Sequence, residues 1–214
     1  KNGPLPVDTA ANMLDQIASA LQAAHQNNVV HQDLKAANIL LDNADNAFLT
    51  DFGIAKDLEG EDDSDPDDPD NIVRGSPEYM SPEQILNTPI NPQTDIYSLG
   101  ILLYEMLTGR TPFQSEDDQE ILKNQLYDKL PPLQQFNKEL PDALNVVIQR
   151  ATDKHPKRRY QTPMQMAEGF RMFVDAGKSQ ATPAPAAVKP EPAQIPDKRS
   201  TGMAQKVIDV DEFL

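Results

Sequence analysis

The 214-residue chain has no cysteine, so neither a disulfide framework nor a thiolate metal site is available, an absence that fits a reducing compartment. Positive charge is scarce: 19 Lys and Arg stand against 34 Asp and Glu, a formal net charge of -15. Nucleic acid and anionic membranes are therefore disfavoured as main partners, because phosphates would repel this surface. Basic or neutral partners stay open. No apolar run approaches the ~20 residues of a membrane-spanning helix. The chain opens on Lys1-Asn2-Gly3-Pro4 rather than on an initiator Met or a signal peptide. From this we expect upstream sequence, and a cytoplasmic location with an anchor in a longer parent left open. No internal repeat is visible.

Apolar side chains recur at Met13, Ile17, Leu21 and Ala24, the spacing of an amphipathic helix over about Val7 to Asn27, with Asp8 or Thr9 as its cap. Val29-Val30, Ile39-Leu40-Leu41 and Ala47-Phe48-Leu49 read as small strands around a loop, the last two separated by Asp/Asn turn signals. From Asp57 to Asp70 acids alternate with Pro66 and Pro69, which excludes regular structure and predicts a solvated surface loop. It lacks the glycine position of an EF-hand calcium loop.

Thr94 to Thr108 is apolar on all sides and reads as a buried central helix ended by Gly109. Further helical patterns lie near Asp117–Tyr127, Leu140–Thr152 and Pro163–Phe173. Beyond Gly177 the Ala, Pro, Lys and Gln composition lacks the spaced large apolar residues of a core. The expected division is a mainly helical lobe with a small β component over residues 1–176, then a linker and tail over 177–214.

The chemistry-bearing residues are His31-Gln32-Asp33-Leu34-Lys35-Ala36-Ala37-Asn38 and Asp51-Phe52-Gly53. Phosphoryl transfer to a hydroxyl needs a carboxylate for the proton, a cation for the moving phosphoryl group, and oxygen ligands for magnesium. A loop turned back after Val30 would aim Asp33 and Lys35 at one point beside Asn38, with Asp51 delivered from a second turn. Asp-Phe-Gly alone is a weak signal. Its bland alternative, polar loops with chance spacing, loses force as further motifs follow in order.

With these residues the chain resembles the serine/threonine protein kinases, over roughly Leu5 to Val174. The resemblance implies an α+β large lobe in which Asp33 is the catalytic base and Lys35 contacts the γ-phosphate of ATP. It also implies that Asn38 and Asp51 bind Mg and that Leu40 forms the floor under adenine. Gly75-Ser76-Pro77-Glu78-Tyr79-Met80-Ser81-Pro82-Glu83 resembles the segment that receives the protein substrate. There the Ser76 hydroxyl belongs beside Asp33 and Lys35, and Lys35 with Ser76 favours Ser/Thr over Tyr acceptors. Asp95 matches the central-helix aspartate bonded to the catalytic-loop backbone, and Arg159 matches the arginine that pairs with Glu83. His31 is implied to pack beneath Phe52, whereas His25 and His155 read as ordinary surface or helix-face residues.

Two departures qualify the resemblance, a set of missing groups and a substituted residue. The chain holds no glycine-rich loop, no strand lysine for the α- and β-phosphates, and no partner glutamate. The expectation is a fragment, inactive alone, of a two-lobed enzyme. Gln32 stands where arginine is usual, and Lys56 is the only visible cation of the customary phosphate pocket. Phosphorylation of the acidic loop, whose one hydroxyl between Asp57 and Asp70 is Ser64, is therefore not expected to be required. The alternative is a non-catalytic docking module of the pseudokinase kind. Retention of Asp33, Lys35, Asn38 and Asp51 together weighs against it.

Overall fold

The computed structural model describes residues 3–52 and 76–180. Gly53, Lys56, the acidic run, Gly75 and residues 181–214 lie outside the described residues. Helix α1 spans Val7–Gln26 and buries Ala10, Met13, Leu14, Ile17, Ala18 and Leu21, the stripe set by its apolar spacing. It starts one residue before the expected cap. Pro6, already near helical φ at -56°, stands at the N-cap, and its carbonyl accepts from the Ala10 N–H at 2.9 Å. Asp8 falls in the first turn, where the helix dipole favours a carboxylate.

Strands β1 (Ile39–Leu41) and β2 (Ala47–Leu49) form one antiparallel hairpin that pairs Ile39 with Leu49, Leu40 with Phe48 and Leu41 with Ala47. Its turn is closed by Asp42, whose side chain accepts from the N–H groups of Ala44 and Asn46. Val29-Val30 is not a strand. The Val29 N–H turns back to the Ala24 carbonyl at 3.0 Å and so completes the end of α1 instead of a ladder.

Helix α2 is a single turn, Pro82–Ile85, closed by a capping box between Ser81 and Gln84. Helix α3, Pro92–Thr108, begins with a second box between Asn91 and Thr94 and has Pro92 in its first turn. It is buried nearly all round, as its composition predicts. Gly100 allows a close approach: a Cβ there would stand 2.7 Å from Thr152 Cγ2 and 2.9 Å from Ala151 Cβ. Gly109 ends the helix in the left-handed region at φ 76°.

Helices α4 (Asp118–Tyr127), α5 (Leu144–Ala151) and α6 (Pro163–Gln180) complete the lobe. The fifth starts later than its apolar pattern, because Pro141, Asp142 and Ala143 form turns whose carbonyls receive the first helical N–H groups. The sixth runs through Gly177 into the segment read as linker. Helix α1 packs on α6, α3 and β2, and α5 packs on both α3 and α6. One apolar core, from Leu14 and Ile17 through Leu99 and Leu103 to Phe170, joins them. Among the described residues no helix is long and apolar enough to cross a membrane.

Candidate active site

The loop between α1 and β1 is shaped by a carboxylate delivered from α3. Asp95, fully buried, accepts the backbone N–H of His31 at 2.8 Å through Oδ2 and that of Gln32 at 2.8 Å through Oδ1. Two fixed acceptors on one rigid helix force a reversal of the chain, and Gln32 turns into the left-handed region at φ 66°. The Gln32 carbonyl is held in turn by Gln84 Nε2 at 2.7 Å.

That reversal brings three of the expected side chains together. Lys35 Nζ lies 2.9 Å from Asp33 Oδ2. Asn38 Nδ2 donates to the Asp33 carbonyl oxygen at 2.8 Å and approaches its Oδ2 at 3.4 Å. The amide nitrogen is thus spent on Asp33, which leaves Asn38 Oδ1 as an acceptor. Asp51 joins through Thr50, whose hydroxyl lies 3.2 Å from the Asn38 carbonyl and 3.3 Å from Asp51 Oδ2. Asp51 is exposed and also left-handed, at φ 56°. Leu40 stands apart on the hairpin, 55% exposed, with Phe48 opposite it and also exposed.

His31 supports the loop from below. Its ring is 4.8 Å from that of Phe52, Nε2 donates to the Thr50 carbonyl at 2.9 Å, and Nδ1 faces the Asp33 N–H at 3.3 Å. This uses the neutral Nε2–H tautomer and leaves no ring nitrogen for a reacting group.

The segment expected to receive substrate forms one 3-10 turn over Pro77–Tyr79. Ser76, Glu78 and Tyr79 line a cleft of about 610 Å³ together with Lys35, Glu105 and Arg110. The Tyr79 hydroxyl donates to Glu105, and burial together with that carboxylate pushes its ionisation up. Behind the segment, Arg159 grips Glu83 with two bonds, 2.6 and 2.8 Å, and also donates to the carbonyls of Asp153 and Gln93. The two residues are 1% and 5% exposed. Burial alone would push the Glu83 carboxyl up, but the Arg159 bonds and charge outweigh it and hold the group below the usual range.

The protein kinase domain family matches residues 1–170, the stretch that contains every one of these groups. The chain belongs to the protein kinase family. It is 40% identical over 177 residues to serine/threonine-protein kinase PrkC of Bacillus subtilis, covering 83% of this chain and 27% of that protein. It is 37% identical over 160 residues to the probable serine/threonine-protein kinase PknB of Lactococcus lactis, covering 75% and 25%. The chain therefore spans about a quarter of the length of these curated relatives. Among solved structures, the PknI kinase domain of Mycobacterium tuberculosis shares the fold at a TM-score of 0.62 and 24% identity, covering 81% of this chain and 57% of that one.

In this kinase lobe the sequence reading of His25 also needs correction. His25 is not an ordinary surface residue: its side chain is 6% exposed, and Nε2 lies 2.7 Å from Asp95 Oδ2. The signal was present, because His25 falls four residues after Leu21 and so continues the buried stripe of α1. The sequence carries no local signal for the link among Tyr97, Gln125 and Lys154. They form a polar chain behind the substrate segment, buried at Tyr97 and Gln125 and half-buried at Lys154.

Proposed function

We propose that this chain carries the large-lobe machinery of a serine/threonine protein kinase, transferring the γ-phosphoryl group of ATP to a Ser or Thr hydroxyl of a protein. The observation that carries this reading is the convergence of Asp33, Lys35 and Asn38 around one open point, with a 2.9 Å contact between the carboxylate and the ammonium. Asp33 orients the acceptor hydroxyl and takes its proton. Lys35 is partly exposed, so its ammonium can turn from Asp33 to the phosphoryl oxygens without leaving a buried carboxylate unpaired. Their charge is then opposed at the point where it moves.

Asn38 Oδ1 and the Asp51 carboxylate are hard oxygen donors and suit magnesium. They are the residues that would hold it, and when bound the ion shields the charge of the phosphate oxygens. The apolar surface of Leu40 suits the face of adenine. Ser76, on the rim of the cleft that Lys35 also lines, favours an aliphatic hydroxyl as acceptor. The names of the relatives support the same substrate class.

The test uses the two-lobed enzyme that carries this chain. With labelled ATP and magnesium, transfer is expected to peptides bearing Ser or Thr and not to matched Tyr peptides. Binding of a protein partner without any transfer would instead establish a docking module.

A further inference from the structure

Gln125 sits on the last turn of α4 and is 0% exposed. A buried primary amide is costly unless its donors and acceptor are used, and here they are. Its Nε2 donates to the Glu78 carbonyl and reaches the Pro77 carbonyl at 3.5 Å. Its Oε1 accepts from the Tyr97 hydroxyl at 2.6 Å. Lys154 Nζ donates to that same hydroxyl at 3.2 Å and to the Gln125 backbone carbonyl at 2.5 Å. That carbonyl is one of the orphans at the end of α4, a place where a cation is favourable.

The chain of bonds has one direction. An ammonium has only donors, so the Tyr97 oxygen must accept from it and point its own proton at Gln125 Oε1. The nitrogen of the Gln125 amide must then face the substrate segment. We propose that Gln125 is a positioning residue for protein substrate: it holds the Pro77 and Glu78 carbonyls from behind, and Tyr97 and Lys154 fix the orientation of its amide.

The segment depends on such support. Its own backbone bonds are Tyr79 N–H to the Ser76 carbonyl at 3.0 Å and Met80 N–H to the Pro77 carbonyl at 3.4 Å. Ser98 of α3 donates to the next carbonyl, that of Tyr79, at 2.8 Å. Three successive carbonyls are thus held by side chains of α3 and α4, while Ser76 and Glu78 line the cleft shared with Lys35. Rotation of the turn would displace those cleft groups. The nucleotide-facing residues Asn38, Leu40 and Asp51 are not bonded to this chain, so the effect should fall on protein substrate and spare ATP.

This inference rests on the transferase reading, and two measurements keep the two apart. In the 214-residue chain, Gln125→Met keeps the length and removes the donors. Amide exchange at Tyr79 and Met80 is expected to speed up about tenfold, the loss of roughly one buried bond, with α1 and α6 unchanged. Tyr97→Phe should do the same more weakly. In the two-lobed enzyme, Gln125→Met should raise KM for a protein substrate about tenfold while KM for ATP and kcat stay within about twofold. Unchanged exchange at Tyr79 and Met80, equal loss of protection throughout the lobe, or a matching rise in both KM values would overturn the role of Gln125. A parent enzyme with no turnover at all would overturn the transferase reading, and the exchange result would still decide the positioning role.

Discussion

Two sets of charged groups in this lobe are built in opposite ways. Glu83, Arg159 and Asp95 are sealed in the interior, and each is bonded by rigid elements: Arg159 donates four times, and Asp95 receives two backbone N–H groups and His25. Asp33, Lys35 and Asp51 face solvent, and the adjoining backbone departs from ordinary conformations at Gln32 and Asp51. Ions in the first set cannot exchange partners without leaving a charge stranded in a poor dielectric. Those in the second can, which is what a step that moves charge requires. The sealed set fixes where the open set stands, because Asp95 bends the loop that bears Asp33 and the Glu83–Arg159 pair anchors the segment opposite it.

The contrast can be broken from either side. The largest effect is expected from Asp33→Asn in the two-lobed enzyme, which keeps the shape and removes the proposed proton acceptor: kcat should fall by about 10²–10⁴. The stability of the lobe should barely move, since the site is open, and a parallel loss of stability would show that Asp33 is a structural anchor. Arg159→Ala in the 214-residue chain should do the reverse, lowering the unfolding free energy by about 3–5 kcal/mol because it strands the Glu83 carboxylate. Urea titration measures it, and an unchanged midpoint would place the pair in solvent.

A smaller, pH-dependent effect sharpens the boundary between the two sets. Burial pushes the Lys154 ammonium down to about 8, with Asp128 and Asp153 opposing the fall and Arg159 adding to it. Between that value and the ordinary 10.5 the unfolded chain binds more protons than the folded one, so this group makes stability rise with pH. Below about pH 8 both states are charged and the burial cost is fully present. Comparison with Lys154→Met cancels the ionisation of the tyrosines. The difference in unfolding free energy should shift in favour of the unsubstituted chain from pH 8 to 10.5, and parallel curves would mean that the amine is solvated.

The smallest effect is expected from Gln32→Gly. Its carbonyl bond to Gln84 and N–H bond to Asp95 are backbone bonds that survive the change, while the left-handed penalty of about 1 kcal/mol is relieved. A modest rise in melting temperature is expected. A fall would show that the Gln32 side chain stabilises the loop.

Much of this arrangement was legible in the chain itself. The order of Asp33, Lys35, Asn38 and Asp51 pointed to side chains that the fold does bring near one another, and the stripe of Met13, Ile17 and Leu21 announced α1. So did the apolar run through Leu99 and Leu103 for α3. Two local patterns gave way to other partners, one near in the chain and one far. Val29 lost its strand to the carbonyl of Ala24, and His25 gained a partner 70 residues away in Asp95.

Local order is written in local spacing, because helix faces, caps and turns are set by neighbours three or four positions apart. The sequence by itself therefore determined the helical character of the lobe, the end of its central helix at Gly109, and the kind of side chains on the loop after α1. Tertiary structure alone decided which way the Gln125 amide faces, that His25 meets Asp95, and that Lys35 rests against Asp33. Each of those outcomes depends on the direction of a hydrogen bond or the exclusion of water, and both are settled only when segments far apart in the chain meet.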